Sequence, residues 1–519
     1  MHDQAIPDIQ PRRDASPSYM FRELSAAKTA AEGRDERRDF PRLGFTSMTT
    51  GAGVDTVVSA FIGALKLQGH NSRVYFTRLR HEDGSFYSEL TKQSVYTLDP
   101  WLLDARSMHY LITKEADAVD FSILVGEVAL FDSPFGGQSY EHEDVSYPSK
   151  GSHDQVARLT QTPQILVCDA HRFDVTKFAQ LQGVLDYAQP SVIKGIILNR
   201  MNPDRYPELK RELEKRFDLK VYGYLPERPG LEPLDKRSEK DQKDLAETAT
   251  STLDLLGLTK LAQEAEPMMR VLPGRLIRAQ RQFVRRPMTS RIAYPIDDIF
   301  RDRTQDNFDL LQEMGAELVP VSIQYDRRLP DDIQGMYFSG GLIKTAGDLS
   351  GNYEFRESFR KAVQRGLKVL VEGEAYRFLT RGIYDVNGDF APMSAAWDVT
   401  IRESKDIPRN VLTYGRLQAH EPNLLGDRDL MINVAIPKKP WPNFGNDLRF
   451  DSVDDSTWHH GFSGSRVFAT SARFHFLSHP ECLVSFLEAC RRETKHETPK
   501  RRSEGKPGFS IYPGVDPLA

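Results

Sequence analysis

Short apolar runs alternate with longer amphipathic segments along residues 42–226. The apolar runs predict strands at residues 42–48, 73–77, 121–132, 164–169, 192–199 and 221–226. Segments between them, such as 56–69 and 176–188, have apolar residues at helical spacing. Continuous apolar strands separated by helices are typical of a parallel sheet that is covered on both faces. The pattern therefore predicts an α/β domain.

A second region has the same alternation. It predicts strands at 291–296, 316–321, 335–341 and 367–373, helices around 307–314 and 355–366, and a closing strand–turn–helix at 465–492. Residues 400–460 are rich in Pro and Asp and receive no assignment. We expect a disordered arm (1–38), a first domain (39–228), a linker of surface helices that bridges the domains (229–288), a second domain (289–493) and a disordered tail (494–519).

Composition narrows the classes of partner. The 519 residues carry a net charge of −5, and the basic stretch 281–287 lies in the predicted linker, so nucleic acid is not expected as a partner. No run of about 18 apolar residues occurs, so a membrane partner is not expected either. Three cysteines (Cys168, Cys482 and Cys490) provide neither a disulfide framework nor metal-ligand spacing. The expected location is the cytoplasm.

The scattered histidines are weak candidates for metal ligands. His142, His153 and His459–His460 lack the i, i+4 or paired Cys/His spacing of metal sites. Solvated loops are their expected environment.

A glycine-bearing turn follows the first predicted strand and leads into the first predicted helix. Such a turn presents free backbone N–H groups and the positive end of the helix dipole, which is the framework of a phosphate-binding P-loop. It predicts nucleotide contacts at Thr50, Gly51, Gly53 and Thr56.

The charged side chains of a working P-loop are missing from this turn. Such a loop ends in Gly-Lys-Ser/Thr, where the lysine reaches the phosphates and the hydroxyl holds Mg²⁺. Here those two positions are Val54 and Asp55. A carboxylate about 4 Å from a phosphate charge costs about 4 kcal/mol at an effective dielectric of about 20. The alternative is an ordinary tight turn in which Asp55 complements the helix dipole.

Further motifs follow the loop in a fixed order. They are Leu98-Asp99-Pro100-Trp101, the segments 125–132, 151–154, 195–200 and 222–226, and then 307–311, 338–341, 371–375 and 469–476. Over about residues 42–492 the chain resembles the cobyrinic acid a,c-diamide synthase family. The resemblance implies a P-loop NTPase-like domain, similar to dethiobiotin synthetase, followed by a class I, triad-type glutamine amidotransferase-like domain with a flavodoxin-like α/β fold. It also implies ATP and Mg²⁺ as cofactors, and amidation of carboxylates with ammonia from glutamine.

The first domain departs from the family pattern. Val125 stands at the position of an acidic residue that the family uses at its metal–phosphate centre. Glu127 lies two residues further on, where strand alternation would put it on the same face. The resemblance implies metal ligands at Asp55, Glu127 and Asp132, and a nucleotide contact at Asn199. Hydrogen bonding at strand ends is the alternative role of Asp132 and Asn199.

The second domain departs from the pattern more severely. Glutamine hydrolysis needs a thiolate that a neighbouring base activates. The family's nucleophile position is Gly373, which has no side chain, and its histidine position is Arg473, which stays protonated. His475 follows two residues later, or ~6.6 Å along a strand. Gly340 and Gly341 still match the family pattern. They predict backbone N–H groups that could form an oxyanion hole.

Two functions follow from these departures. The first is a pseudoenzyme that serves as a binding or scaffolding protein. Its partner would be a small carboxylate, a tetrapyrrole-like ligand or an active partner enzyme, and Asp99 would lie in the ligand region. A homodimer is the oligomeric state that this function allows. The second is a remodelled ATP-dependent ligase that uses ammonia or an amine, in tetrapyrrole or secondary metabolism. Its metal ligands would be Asp55, Glu127 or Asp132.

Overall fold

A computed structural model describes most of the chain. The described residues are 37–79, 84–143, 145–284, 290–300, 303–341, 349–403, 412–437, 448–452 and 457–491. The predicted tail and nearly all of the predicted arm lie outside them. Within these ranges, none of the helices has the length and apolar character needed to cross a membrane.

The first domain is a layered α/β unit. Its strands are β1 (Arg37–Arg38), β2 (Arg42–Ser47), β3 (Ser72–Phe76), β4 (Tyr96–Thr97), β5 (Phe121–Val125), β6 (Tyr140–His142), β7 (Val145–Tyr147), β8 (Gln164–Asp169), β9 (Ile193–Met201) and β10 (Val221–Pro226). Its helices are α1 (Val54–Leu67), α2 (Ser85–Thr91), α3 (Ala105–Thr113), α4 (His153–Leu159), α5 (Val175–Tyr187) and α6 (Tyr206–Phe217). Seven strands form a parallel sheet in the order β10-β9-β8-β2-β5-β3-β4. The parallel α/β domain that the apolar pattern predicted is confirmed.

The central strands are buried along their whole length, which explains their unbroken apolar sequence. All residues of β2, β3 and β5 are buried. The strand predicted at 121–132, however, ends at Val125. The N–H of Gly126 still donates to Phe45 O (2.9 Å), and the chain then turns away from the sheet. The apolar residues beyond Gly126 therefore pack in turns.

The segment after the first sheet contains α7 (Glu239–Thr252), α8 (Leu255–Gln263), β11 (Met268–Met269) and α9 (Gly274–Val284). Helix α7 lies directly on α1, because a β-carbon built at Gly63 would lie 2.7 Å from the Ala246 β-carbon. Its Leu245 is part of the first domain's apolar core. Residues 239–263 thus form a layer of the first domain, in contrast to the predicted bridge. Helix α9 does reach the second domain, where Arg275 Nη1 donates to Ser478 O (2.9 Å).

The second domain has a six-stranded sheet. Its elements are β12 (Ser290–Pro295), α10 (Gln305–Glu313), β13 (Ala316–Val321), β14 (Gly335–Phe338), α11 (Tyr353–Arg365), β15 (Lys368–Val371), β16 (Gly382–Tyr384), β17 (Phe390–Pro392), β18 (Thr400–Arg402), β19 (Leu412–Ala419), β20 (Met431–Pro437), β21 (Leu448–Ser452), β22 (Thr457–His459), β23 (Phe462–Ser463), β24 (Val467–Ala469) and α12 (Pro480–Arg491). The order is β13-β12-β14-β15-β24-β23, and only β23 runs antiparallel to its neighbour. The second α/β domain predicted from the sequence is confirmed.

The unassigned region 400–460 contains all four strands of an antiparallel sheet. Its strand order is β20-β19-β21-β22, and a smaller sheet, β17-β16-β18, precedes it. Strand β19 carries Tyr414 to the first domain, where its hydroxyl donates to Asp99 Oδ2 (2.8 Å). This sheet is therefore part of the junction between the domains.

A row of acidic side chains on α10 faces the first domain. Spacings of three and four residues place Asp306, Asp309 and Glu313 on one side of the helix. Tyr96 donates its hydroxyl to Asp309 (2.6 Å), and Lys114 Nζ donates to Glu313 (3.0 Å). These contacts are supported by an apolar cluster shared by both domains.

Asp99 makes a second set of buried hydrogen bonds at the junction between the domains. It is 1% exposed and accepts hydrogen bonds from the N–H groups of Leu79 (3.2 Å) and Trp101 (2.9 Å) and from Tyr414. Trp101 in turn donates its indole N–H to Gly415 O (3.1 Å). The Leu98–Trp101 motif therefore holds the two domains together.

We predict that Tyr414→Phe lowers the free energy of unfolding by about 1–3 kcal/mol, because a buried carboxylate loses a donor. Urea titration of the full chain measures it. The matched control is Tyr325→Phe, which removes a hydroxyl from a residue that is 84% exposed. Equal stability of the two variants would contradict the role given to Asp99.

Candidate functional sites

The loop between β2 and α1 has the backbone conformation of a phosphate-binding turn. Gly51 and Gly53 have φ values of 86° and 83°, in the left-handed region that favours glycine. Helix α1 begins at Val54, and no side chain caps its amino end. Its first N–H groups are therefore available to an anion.

Residues at the end of β9 hold this loop in place through hydrogen bonds. Asn199 Nδ2 donates to Ala52 O (2.9 Å), and a β-carbon at Gly53 would lie only 2.2 Å from that amide nitrogen. Arg200 Nη2 donates to Gly51 O (2.7 Å) and pairs with Asp169 (3.1 Å). Asn199 thus makes a hydrogen bond at a strand end, as its alternative role expects, and its contact with a nucleotide stays a prediction. Arg200 was missed, although it directly follows Asn199 in the 195–200 motif.

No side chain of this loop takes the place of the ammonium group that the P-loop lysine would supply. Val54 is buried, and the Asp55 carboxylate accepts the hydroxyl of Tyr87 (2.8 Å). Thr50 Oγ1 donates to Asp132 Oδ2 (3.1 Å), while Thr56 lies in the first turn of α1. The backbone fits a phosphate group, but the side chains do not fit Mg²⁺–ATP in the usual P-loop manner.

The three predicted metal ligands are not brought together. Within the described ranges, no three His, Cys, Asp or Glu side chains are grouped so that they could hold a metal ion. Glu127 lies exposed beyond the end of β5, whereas Val125 is buried inside that strand. The expectation that strand alternation lets Glu127 replace an acid at 125 is therefore wrong, because the strand ends before residue 127.

The second candidate site is the elbow after β15. Gly373 has a φ of 73°, and a β-carbon there would lie 2.7 Å from Gly340 O. That carbonyl accepts the N–H of Ala375 (3.0 Å), and the N–H of Gly373 donates to Ala472 O (3.1 Å). The elbow is closed onto the turn that holds the paired glycines, so the nucleophile position has no room for a side chain.

The space beside Gly341 is also occupied. Gly340 and Gly341 have φ values of 75° and 85°. A β-carbon at Gly341 would lie 3.1 Å from the Phe300 ring and 3.2 Å from the Ala375 β-carbon. The predicted oxyanion region is thus packed with apolar groups on this side.

The chain from 470 to 476 is irregular, which corrects the strand geometry expected for Arg473 and His475. Strand β24 ends at Ala469. Arg473 exchanges backbone hydrogen bonds with Ala435 (2.8 and 3.0 Å). His475 is fully buried, and its Nδ1 accepts the N–H of Leu477 (3.0 Å). The proton must therefore lie on Nε2, which donates to Asp306 (2.9 Å). Both nitrogens are engaged, so the ring is not available as a general base.

Glu372, immediately before the elbow, was missed from the sequence. It is fully buried, and burial raises the pKa of its carboxyl group. Tyr337 donates its hydroxyl to Glu372 (2.6 Å), Ser339 donates as well, and Phe474 contributes its N–H (3.3 Å). Its position inside the 371–375 motif was the available signal. The residue joins β14, β15 and the 470–476 segment.

His153 and His460 do not lie in the solvated loops expected for them, since both are fully buried. His153 Nε2 donates to Gln164 (2.6 Å) and its Nδ1 contacts Thr77 Oγ1 (2.9 Å). Burial lowers the pKa of His153 to about 4. The imidazole is therefore a neutral structural group.

Together, the two sheets and their loops define a two-domain protein in which a P-loop NTPase-like domain is joined to a class I glutamine amidotransferase-like domain. No protein-family model matches the chain. Curated cobyrinate a,c-diamide synthases do match nearly end to end. The synthase of Caldanaerobacter subterraneus is 25% identical over 465 residues (85% of this chain, 96% of the relative), and that of Dehalococcoides mccartyi strain CBDB1 is 27% identical over 470 residues (86% and 98%). Over most of its length the chain is therefore similar to cobyrinate a,c-diamide synthases.

Solved structures resemble the chain only weakly. The MinD cell division protein of Aquifex aeolicus is 14% identical, with a TM-score of 0.26, and the match covers 44% of this chain and 99% of that one. Chloroplast FtsY from Physcomitrella patens is 11% identical, with a TM-score of 0.26, over 44% of this chain and 72% of its own.

We predict that Gly373→Ala costs more stability than Gly388→Ala. Both glycines have a left-handed φ (73° and 92°), so both substitutions carry about 1–2 kcal/mol of backbone strain. Only residue 373 adds a clash, because nothing lies within 4 Å of a β-carbon at 388. Thermal unfolding measures both variants, and equal losses would show that the elbow is open.

We predict an acid-side stability loss that depends on His153. Below pH 6.5 the unfolded chain gains a proton that the folded chain accepts only near pH 4, so stability falls over this window and is unaffected above it. The full loss is roughly 3 kcal/mol. His153→Asn should be less stable than the wild type at about pH 8, and the gap should narrow towards about pH 4.5 in urea titrations.

The control for losing an imidazole as such is His70→Asn, at a partly exposed position. A constant gap for His153→Asn across the pH range would show that the buried imidazole is not neutral.

Proposed function

We propose that this chain is a ligand- or partner-binding protein that does not hydrolyse glutamine. The closed elbow carries this proposal. Gly373 offers no nucleophile, and the 2.7 Å separation of its β-carbon position from Gly340 O leaves no room for one. A thiolate and an adjacent base are both required for the hydrolysis. At the base position stands Arg473, and the nearby His475 is bonded through both nitrogens.

The first domain supports the same proposal. The family resemblance implies ATP and Mg²⁺, yet the lysine position is the buried Val54, and Asp55 adds a negative charge beside the phosphate cradle. The carboxylate alone costs about 4 kcal/mol at about 4 Å from a phosphate charge. A nucleotide bound here would depend mainly on backbone N–H groups. We therefore propose weak nucleotide binding without ordinary ATP turnover.

The ligand we propose is a small carboxylate or a tetrapyrrole-like compound, in keeping with the compounds named in the relatives' descriptions. An active partner enzyme is the other proposed binding partner. We also propose the cytoplasm as the location, because the three cysteines are buried and none is in a disulfide with another described residue, as expected in a reducing compartment.

A second candidate function is a remodelled ATP-dependent ligase. The contact between Thr50 and Asp132 (3.1 Å) favours it, because this contact places an exposed carboxylate at the mouth of the loop. Ammonia or an amine would be the nucleophile, since the second domain supplies none. Asp132 would be the residue on which this activity depends.

We predict that glutamate release from glutamine stays at background for the full chain, with or without ATP. The double variant Gly373→Cys/Arg473→His should stay at background as well, because the added β-carbon displaces the elbow. Release is measured by coupled glutamate oxidation, with the Listeria innocua cobyrinate a,c-diamide synthase assayed in parallel. Robust release by the wild-type chain would refute the proposal.

The ligase alternative makes a different prediction. It expects substrate-stimulated ADP formation on a panel of carboxylates with ammonia, and its loss in Asp132→Ala. The matched control is Glu247→Ala, an exposed carboxylate on α7. No ADP formation with any carboxylate, together with weak Mg²⁺–ATP binding in calorimetry, would leave only the binding function.

A further inference from the structure

A cleft lies at the amino ends of the central strands of the second sheet. Its volume is about 500 Å³, within the range of roughly 300–1,000 Å³ that ligand clefts have. One wall is the segment 328–334, which leads into β14, and the other is the C-terminal part of α11 with the turn into β15. Because β14 and β15 are parallel, the elbow after β15 lies at the opposite edge of this sheet. We call the cleft, which is separate from both candidate functional sites, the amino-edge cleft.

The floor of the amino-edge cleft is apolar. Leu329 and Leu367 line it and are 4% and 8% exposed. Ile333 and Ala362 add apolar side chains that are only partly buried. An open cleft with such a floor favours an apolar occupant, because binding removes apolar surface of both partners from water.

Arg365 places a positive charge at the rim of the cleft. It is exposed, and within the described part of the chain it takes part in no ion pair. The other two cations of the rim are paired with neighbours: Lys361 with Glu357 (3.3 Å) and Arg328 with Asp331 (3.8 Å). Arg365 is therefore the cation that a carboxylate of an occupant can engage.

Helix α12 ends in the wall of this cleft. Cys490, its penultimate residue, lines the cleft, and the helix ends at Arg491. A β-carbon at Gly335, the first residue of β14, would lie 2.7 Å from Cys490 Sγ, so the end of α12 rests against the start of that strand. The next stretch of the chain, residues 492–519, therefore starts at the cleft.

The sequence beyond α12 changes character partway along. Residues 492–507 are mostly charged or polar, whereas residues 509–515 include a phenylalanine, an isoleucine, a tyrosine and a valine. Asp516 follows them directly. Prolines at 507, 513 and 517 fix backbone angles and so reduce the entropy that this segment would lose on binding. An apolar segment with one carboxylate complements an apolar floor with one available cation.

The connection to α12 is short enough to favour this segment over a free ligand. A chain as long as residues 492–508 has an average end-to-end distance of roughly 20–25 Å when it holds no fixed structure. Such a tether keeps the attached segment at an effective concentration of about a millimolar. Even a local dissociation constant of about 0.1 mM would then fill the cleft about ten times out of eleven.

We propose that residues 509–516 of this chain dock into the amino-edge cleft. The apolar side chains of 509–515 cover its floor, and the Asp516 carboxylate pairs with the Arg365 guanidinium. A planar guanidinium suits a carboxylate because it donates two parallel hydrogen bonds. The docking concerns the edge of the sheet away from the elbow and does not depend on the proposed function.

Hydrogen–deuterium exchange of the full chain tests the docking. In the triple variant Phe509→Ser/Ile511→Ser/Tyr512→Ser, we expect the amides of residues 328–334 to exchange about tenfold faster than in the wild type, because the cleft loses its cover. The control is Lys500→Ser/Arg501→Ser/Arg502→Ser, which changes the same part of the chain outside the docked segment.

The ion pair has its own variant. Arg365→Gln should raise the exchange rate of residues 328–334 by about two- to fivefold, as the loss of an exposed ion pair predicts. Arg428→Gln, at an exposed arginine paired with Glu421, is the matched control and should leave the rate unchanged.

A synthetic peptide of residues 505–519 gives a second measurement. In fluorescence anisotropy it should bind the triple variant with a dissociation constant of about 0.1 mM. It should bind the wild type about tenfold more weakly, because the wild-type segment already occupies the cleft.

Three results would overturn the proposal. The first is equal exchange of residues 328–334 in the wild type and the triple variant, and the second is equal affinity of both proteins for the peptide. The third is protection that rises with protein concentration, which would assign the cleft to the segment of a second copy of the chain.

Discussion

The buried polar contacts between the domains are the constraint on which the rest of the structure depends. Lys114 is almost fully buried, and it lies 3.0 Å from Glu313 and 3.6 Å from Asp309. Withdrawing such charges from water is expensive, and a pair that loses one partner leaves an uncompensated buried charge. The two domains are therefore held in one relative orientation, and the apolar cluster behind these contacts includes residues of both.

The same junction explains what the retained motifs do in this chain. Asp99 and Trp101 of one motif bind the second domain, and Asn307 of another donates to Phe474 O (3.0 Å) and accepts the N–H of Phe476 (2.8 Å). His475 is held by Asp306, which also accepts the N–H of Thr97 across the junction (3.0 Å). Residues of the retained motifs therefore join the domains and shape the segment after β24.

Local pattern predicted the buried parallel strands well and failed where the chain leaves the sheets. The strands at 164–169, 221–226 and 316–321 were predicted with their observed bounds, because each is a short, mainly apolar run. The strand at 121–132 was overextended, since apolar residues in a buried turn look the same as those in a strand. The region 400–460 received no assignment because its Pro- and Asp-rich composition hides the strands of its antiparallel sheet.

The sequence by itself determined which groups are present: no thiol at Gly373, no ammonium at Val54, and glycines where the backbone must be left-handed. The tertiary structure alone decided how these positions are surrounded, with Gly340 O against the elbow and the Tyr87 hydroxyl on Asp55. The physical reason is distance along the chain. Residues separated by tens or hundreds of positions leave no mark on each other's local pattern, and only packing brings their charges and carbonyls within reach.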